Sequence, residues 1–443
     1  MALKAAVCEA NITPPVGVWL AGYAGRPSGC LGVHDELYAR ALVLEDGISL
    51  AAIVSLDLVA LDFDLVATIR DGVSRKVGIP PERLLLNCSH THSGPVTRTF
   101  RAMGERDDLY CDVMARKVIG AVQQAADMLE PASLYWGRAS VQIGVNRRER
   151  RDGQTVLGQN PNRPVQPYVD VLRVEREGGA PLATLFAHAT HPVVLGSQNL
   201  WISADFPGMA CEFLRRVGMG VPMFLQGCAG DINPLLRGPF AQARKAGETL
   251  GASVVVASHL AEPVEGIPLS GTLRTVDLPY LFPSPEEAQQ HLQRAEAELK
   301  QAEEKGEPLH VLMWHRDMLR WAQDLVLTVE KGEPKSLPLE IQLLRLGDVH
   351  LLAFPAEMFV QYALDFVRQS PHQPTIVLGY TNGCWGYIPA AADYPFGGYE
   401  VEMAYRYYGT LMVSADCERL IREEAYSLLG VPSPDRTPYA AEM

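Results

Sequence analysis

Two histidines stand one residue apart in Ser89-His90-Thr91-His92-Ser93-Gly94-Pro95, just after the apolar run Leu84-Leu85-Leu86. A second pair, His188 and His191, closes the apolar run of Phe186-Ala187-His188-Ala189-Thr190-His191-Pro192. Four of the chain's 11 histidines fall in these two segments. A neutral imidazole offers a lone pair to a metal ion or takes a proton near neutral pH. If the first pair continues the strand, residues i and i+2 share a face, and both rings look into one cavity. They then serve as two metal ligands, or as one ligand and one acid/base. Burying two imidazoles is costly unless something uses their lone pairs. Alone, the His-x-His reads equally well as a pair of hydrogen-bonded loop histidines. The second cluster favours the chemical reading.

Four further segments share a grammar in which a buried strand ends and polar residues follow. Gln226-Gly227-Cys228-Ala229-Gly230-Asp231-Ile232-Asn233-Pro234 follows the strand at 221–225, and its glycines allow close backbone approach to an anion. Pro355-Ala356-Glu357 ends a strand at the expected start of a helix, where a carboxylate is a dipole partner or a hard metal ligand. Gly379-Tyr380-Thr381-Asn382-Gly383-Cys384-Trp385-Gly386-Tyr387-Ile388-Pro389 leads to Gly397-Gly398-Tyr399-Glu400, a composition suited to a site wall that presents phenol hydroxyls. Asn146-Arg147-Arg148 opens a basic stretch in which most arginines are expected to be solvated, one of them reaching a cavity.

The elements that must hold these segments read as strands interleaved with helices. A hairpin is expected over 38–44 and 50–56 around Glu45-Asp46-Gly47, and a second around Gly347-Asp348. Helices are expected near 63–76, 107–129, 206–218, 240–261, 357–370 and up to about 429. In the second of these, Leu109, Val113, Val118, Val122 and Ala126 recur at helical spacing. Ser284-Pro285-Glu286-Glu287 is a capping box, opening a helical hairpin inserted at about 284–331. This insertion reads as scaffold in preference to a lid or a contact between copies in a homo-oligomer. The expected fold class is α/β, a layered mixed β-sheet with flanking helices, in one domain over 1–430 with a tail at 431–443.

The 443 residues are 47% hydrophobic and 21% charged, the balance of a globular chain with a sizeable core. The net charge of −13 argues against nucleic acid and against electrostatic attachment to a membrane surface. It leaves room for a neutral, lipid-like substrate. No run approaches a transmembrane segment, and no secretory leader is read at the N-terminus, so the expected location is cytoplasmic. The eight cysteines are scattered without CxxC spacing, as reduced packing residues would be.

Taken in order, these segments resemble the catalytic domain of the neutral/alkaline (non-lysosomal) ceramidases, zinc amidases that cleave the N-acyl bond of ceramide. The resemblance runs from Ala10-Asn11-Ile12-Thr13-Pro14 and Gly32-Val33-His34, with Leu37-Tyr38-Ala39-Arg40-Ala41, through the His90 motif to the tyrosines near 399. It implies His90 as a zinc ligand and His92 as a second active-site histidine. It implies His191 over His188 as the next ligand, because the family's histidine lies fourteen residues before an aspartate, here Asp205. Glu357 matches the glutamate of the family's Pro-Gly-Glu, with Ala356 in place of glycine. Tyr387 and Tyr399, twelve residues apart, match the ligand tyrosine and a substrate-facing tyrosine, and Arg147 matches an arginine at the substrate.

One departure bears on mechanism. The ceramidases carry Gly-Asp-Val-Ser-Pro, whose serine is held to be the nucleophile; this chain has Gly230-Asp231-Ile232-Asn233-Pro234, and an amide cannot play that part. The immunoglobulin-like C-terminal domain of the ceramidases is also not matched. The resulting expectation is a hydrolase with one Zn2+ per chain, held by His90, His191, Glu357 and Tyr387. Zinc-bound water would attack a carboxamide, with His92 as general base. Tyr399, Arg147 and Asn233 would stabilise the oxyanion, with Gly230 and Asp231 lining the substrate. The alternatives are an esterase or lactonase using the same site, and a non-catalytic zinc- or ligand-binding relative.

Overall fold

The computed structural model describes residues 2–264 and 267–431, so the expected tail lies outside the described residues from 432 on. The expected hairpin forms: Tyr38–Glu45 and Leu50–Leu56 pair antiparallel, and Asp46 takes the N–H groups of Ile48 and Ser49 at the turn. Both strands are apolar on both faces. Leu42, Leu44 and Ile53 point one way and Ala41, Val43 and Val54 the other, each set into its own core cluster. Strands of that kind sit between two layers.

They belong to a nine-stranded sheet. Its order is Val221–Gln226, Pro181–His188, Tyr168–Arg176, Glu130–Ser140, Lys4–Asn11, Tyr38–Glu45, Leu50–Leu56, Leu84–Cys88, with Glu262–Pro263 beside Glu130–Ser140. A second sheet of four strands runs Leu269–Pro279, Ser336–Leu346, Val349–Ala353, Thr375–Leu378, and contains the expected hairpin at Gly347-Asp348. The sheets share a core in which Leu42, Leu85, Leu172 and Leu185 meet Leu344, Leu351 and Ile376. Helices Phe63–Val77, Asp108–Asp127, Asp205–Arg216 and Phe240–His259 cover the outer face of the large sheet. Val360–Gln369 and Cys417–Leu429 cover the small one. The result is a helix–sheet–sheet–helix stack with mixed sheets.

Two local expectations change. Val118 and Val122 of the expected stripe are buried, but Leu109 and Val113 in the first turns are exposed, and helix Asp108–Asp127 buries Tyr110 and Met114 in their place. Asp107 caps Tyr110 N at 2.9 Å at the start of this helix, where the buried face falls one position after Leu109 and Val113. The basic stretch after 143 is strand, not solvated loop: Gly144–Arg151 pairs with Gln154–Asn160, and both Arg147 and Arg148 are buried.

The inserted hairpin is helical over Pro285–Lys305 and Leu309–Lys331, and its capping box has both reciprocal bonds. Its second helix touches the segment after the His90 motif. Asp317 takes the N–H of Ala102 at 2.8 Å, and Asp324 pairs with Arg101. Among the described residues no helix is long and apolar enough to cross a membrane.

The two ends of the large sheet meet without a ladder. Ser55 Oγ donates to the Phe224 carbonyl at 2.7 Å. Fully buried Asn87 accepts from Gln226 N at 2.7 Å and donates to the Gly379 carbonyl at 2.9 Å. One amide thus ties Leu84–Cys88, Val221–Gln226 and the loop after Thr375–Leu378 at the ends from which the site grows. Asn87→Ala leaves these buried groups without partners and is expected to cost about 3 kcal/mol, read as a lowered thermal midpoint. An unchanged midpoint would contradict this role.

Candidate functional site

The chain leaves its strand at Cys88, so the His90 motif is not strand. His90 sits in the left-handed region (φ 68), costly for a residue with a Cβ and found where the surroundings enforce it. Convergence of the two rings therefore comes from this turn, not from strand alternation. The Leu58 carbonyl holds His90 N at 2.8 Å, and His90 Nδ1–H donates to the Val59 carbonyl at 2.7 Å. His92 packs its ring against Gly22, where a Cβ would lie 2.2 Å from the imidazole, and edge-on to Tyr23 at 5.0 Å. Its Nε2 lies 3.2 Å from His90 Nε2, and its buried Nδ1 has no hydrogen-bond partner among the described residues. Burial first, then His90 and His191, push His92 well below the usual imidazole range and hold it neutral.

The second cluster leaves its strand at His188. His188 is buried, donates Nδ1–H to the Tyr168 carbonyl at 2.9 Å and faces the Thr190 hydroxyl at 3.2 Å. His191 turns the other way. Its Nδ1–H donates to the Ala229 carbonyl at 2.5 Å, and its Nε2 lies 3.0 Å from Glu357 Oε2. Asp205 braces this loop by accepting from Leu195 N at 3.2 Å; burial pushes its carboxyl up to about 6. Glu357 lies not at a helix start but on a two-residue strand, paired parallel with Tyr387–Ile388 so that Glu357 sits opposite Tyr387. Its Oε2 is 3.2 Å from His90 Nε2.

Both Nδ1–H groups are committed to carbonyls, so both Nε2 atoms present lone pairs, and the carboxylate facing them does the same. Glu357 Oε2 lies 3.0 Å from one Nε2 and 3.2 Å from the other, and buried acceptors so placed repel unless a proton or a metal ion stands between them. The side chains fit a metal ion on those grounds, and His90, His92 and His191 form a group close enough to hold one.

Arg147 lies beyond this cluster. Its Nε donates to Glu400 at 2.8 Å and its Nη1 to Asn233 Oδ1 at 3.4 Å, and the Tyr387 hydroxyl also lies within hydrogen-bonding reach of the guanidinium. The guanidinium lies 5.2 Å from the Tyr387 ring and 5.9 Å from the Tyr399 ring. Arg148, read as solvated, is buried against Asp393 and Glu400. The structure thus brings His90, His92, His191, Glu357, Tyr387, Tyr399, Arg147 and Asn233 together.

Gly230 and Asp231 are adjacent but not offered to a substrate. Gly230 N–H donates to the Met358 carbonyl at 2.9 Å, and a Cβ there would lie 2.5 Å from the Glu357 carbonyl. Asp231 accepts from Val360 N at 2.8 Å and Asn146 Nδ2 at 2.6 Å, capping the helix that follows Glu357. Close packing and capping use up the polar groups that the sequence reading assigned to substrate. Sequence reasoning also missed Tyr380, whose hydroxyl lies 3.4 Å from Glu357 Oε2, and Tyr408, whose hydroxyl donates to Oε1. Tyr380 lies within the tyrosine-glycine wall; Tyr408, nine residues past Tyr399, carried no signal.

Known proteins share this arrangement of elements. Residues 4–258 match the family described as neutral/alkaline non-lysosomal ceramidase, N-terminal. A neutral ceramidase of Pseudomonas aeruginosa is 22% identical over 88% of this chain and 67% of that protein. Neutral ceramidase B of Dictyostelium discoideum is 26% identical over 50% of this chain, and a neutral ceramidase of Drosophila pseudoobscura pseudoobscura is 23% identical over 53%. The matched stretch spans only 34% and 36% of those two proteins. The crystal structure of the Pseudomonas aeruginosa neutral ceramidase covers 100% of this chain and 77% of its own, with TM-score 0.71 at 20% identity. A ceramidase complexed with C2 covers 100% and 78%, with TM-score 0.73 at 19% identity. These structures establish the fold, and the family match over more than half of the residues establishes that this chain belongs to the neutral/alkaline non-lysosomal ceramidase family.

Proposed function

We propose that this chain is a zinc-dependent amidohydrolase that cleaves the N-acyl bond of a linear, small or lipid-like carboxamide. The observation that carries the reading is the convergence of His90 Nε2, His191 Nε2 and Glu357 Oε2, with both Nδ1–H groups already donated to carbonyls. His90, His191 and Glu357 would hold the ion, with Tyr387, stacked on His191, as the remaining protein donor. Imidazole and carboxylate donors suit zinc, which when bound acts as a Lewis acid and makes water acidic near pH 7. Family membership supports amide cleavage as the reaction.

The chain's own groups handle protons and charge. His92, held neutral, accepts the proton of the attacking water and returns it to the leaving nitrogen. The Arg147 guanidinium and the Tyr399 hydroxyl meet the carbonyl oxygen as it gains charge. Asn233 holds Arg147 Nη1 and stands where the family pattern puts its serine, so the reaction runs without an acyl-enzyme.

Purified protein is expected to hold about one zinc per chain and to lose amidase activity reversibly to a chelator. His191→Ala should strip the metal, while His188→Ala, which disturbs only the Tyr168 and Thr190 contacts, should keep it. Full turnover by metal-free protein would sink the reading.

Asn233→Ala is expected to lower turnover about 10- to 1000-fold, as loss of a group supporting the oxyanion site does. Mass spectrometry of enzyme quenched during turnover of an activated ester should find no acyl adduct; an adduct on any serine or cysteine would restore a covalent mechanism.

Gly22→Ala drives a Cβ into the His92 ring at a position with φ +93, and turnover should fall at least about 100-fold. Gly17→Ala, at φ +101 but in open space, is the control and should retain activity. Equal activities would remove Gly22 as the seat of His92.

A further inference from the structure

We infer that Tyr408 is a positioning residue for the metal centre: its hydroxyl reserves one oxygen of Glu357 and leaves the other for the cation. The inference rests on the zinc reading above and concerns a residue outside the proposed ligand set.

The two oxygens of Glu357 live in different surroundings. Oε2 faces His90 Nε2 at 3.2 Å and His191 Nε2 at 3.0 Å. Oε1 accepts from Tyr408 Oη. A phenol facing a carboxylate oxygen is the donor of the pair, so the hydroxyl donates. A buried carboxylate with one oxygen bound in this way cannot turn about its terminal bond without breaking a charge-assisted hydrogen bond.

The ring that carries the hydroxyl is clamped. Phe100 meets it edge-on at 5.1 Å, and the Arg98 guanidinium lies 5.3 Å from its centroid. Gly386, at φ +103, gives it room: a Cβ there would lie 3.0 Å from the Tyr408 ring. The same Gly386 accepts the Glu357 N–H at 2.8 Å through its carbonyl. One glycine therefore seats both the carboxylate's backbone and the phenol that orients its side chain. Tyr380, at 3.4 Å from Oε2, makes a longer contact on the side shared with the histidines. Hydrogen bonds that orient a ligand carboxylate commonly account for 10- to 100-fold in metal affinity.

The test is zinc affinity of the full chain, measured by competition with a chromophoric chelator, for wild type, Tyr408→Phe and Tyr407→Phe. Tyr407, its neighbour, accepts from Trp314 Nε1 at 3.4 Å and has no contact with Glu357 among those described. Tyr408→Phe is expected to bind zinc about 10- to 100-fold more weakly while the metal-free protein keeps the wild-type thermal midpoint within a few degrees. Tyr407→Phe should bind as wild type does. If Tyr408→Phe fails to fold, Tyr408→Leu carries the same expected loss. Wild-type affinity in a folded Tyr408 variant, or an equal loss in Tyr407→Phe, overturns this inference alone. Wild-type protein that binds no zinc overturns the metal reading and this inference with it.

Discussion

Two hydrogen bonds decide the character of this protein: His90 Nδ1–H to the Val59 carbonyl and His191 Nδ1–H to the Ala229 carbonyl. Each fixes a tautomer, and each sends the remaining lone pair inward. The inward lone pairs meet the Glu357 carboxylate at 3.0 and 3.2 Å in a place closed to water. Such a cluster opposes its own assembly, so the scaffold has to impose it.

The scaffold does so with strand ends. Leu84–Cys88 delivers His90, Pro181–His188 delivers His191, Val221–Gln226 delivers the Ala229 carbonyl, and the short strand after Val349–Ala353 delivers Glu357. Parallel pairing brings neighbouring ends to one level: Leu50–Leu56 with Leu84–Cys88, and Pro181–His188 with Val221–Gln226. Asn87 joins ends that share no ladder. Gly230 and Gly22 let backbone and ring approach where a Cβ would collide. A second buried set, Arg147 and Arg148 against Glu400 and Asp393, fixes the opposite wall with paired charges. Breaking one partner of such a set is costly because the other charge stays buried.

Local signals were legible in the sequence. The hairpins at Asp46 and Gly347, the capping box at Ser284 and the layered mixed fold all followed from turn chemistry and apolar runs. The residues that the structure brings together at the site were named because their types cluster after apolar runs, and because their order resembled a family. What stayed hidden depends on partners far along the chain. Arg148 looks like a solvated charge until Glu400, 252 residues later, folds against it. Helix Asp108–Asp127 follows its apolar stripe at Val118 and Val122 but not in its first turns, where Tyr110 and Met114 are buried in place of Leu109 and Val113. His90 adopts φ 68, which no alternation rule anticipates. Tyr408 reaches Glu357 across 51 residues through a clamp of Phe100, Arg98 and Gly386, none of them a motif.

The separation of His191 from Glu357, 166 residues, sets a schedule for synthesis. A ribosome adding about 5–20 residues per second makes His191 roughly 8 to 33 s before the carboxylate that joins it, and His90 and His92 earlier still. In that interval the chain carries the three site imidazoles without Glu357, while the first three strands of the small sheet, Leu269–Pro279, Ser336–Leu346 and Val349–Ala353, are being made. The facing set of nitrogen and oxygen acceptors is complete only once Glu357 has been made.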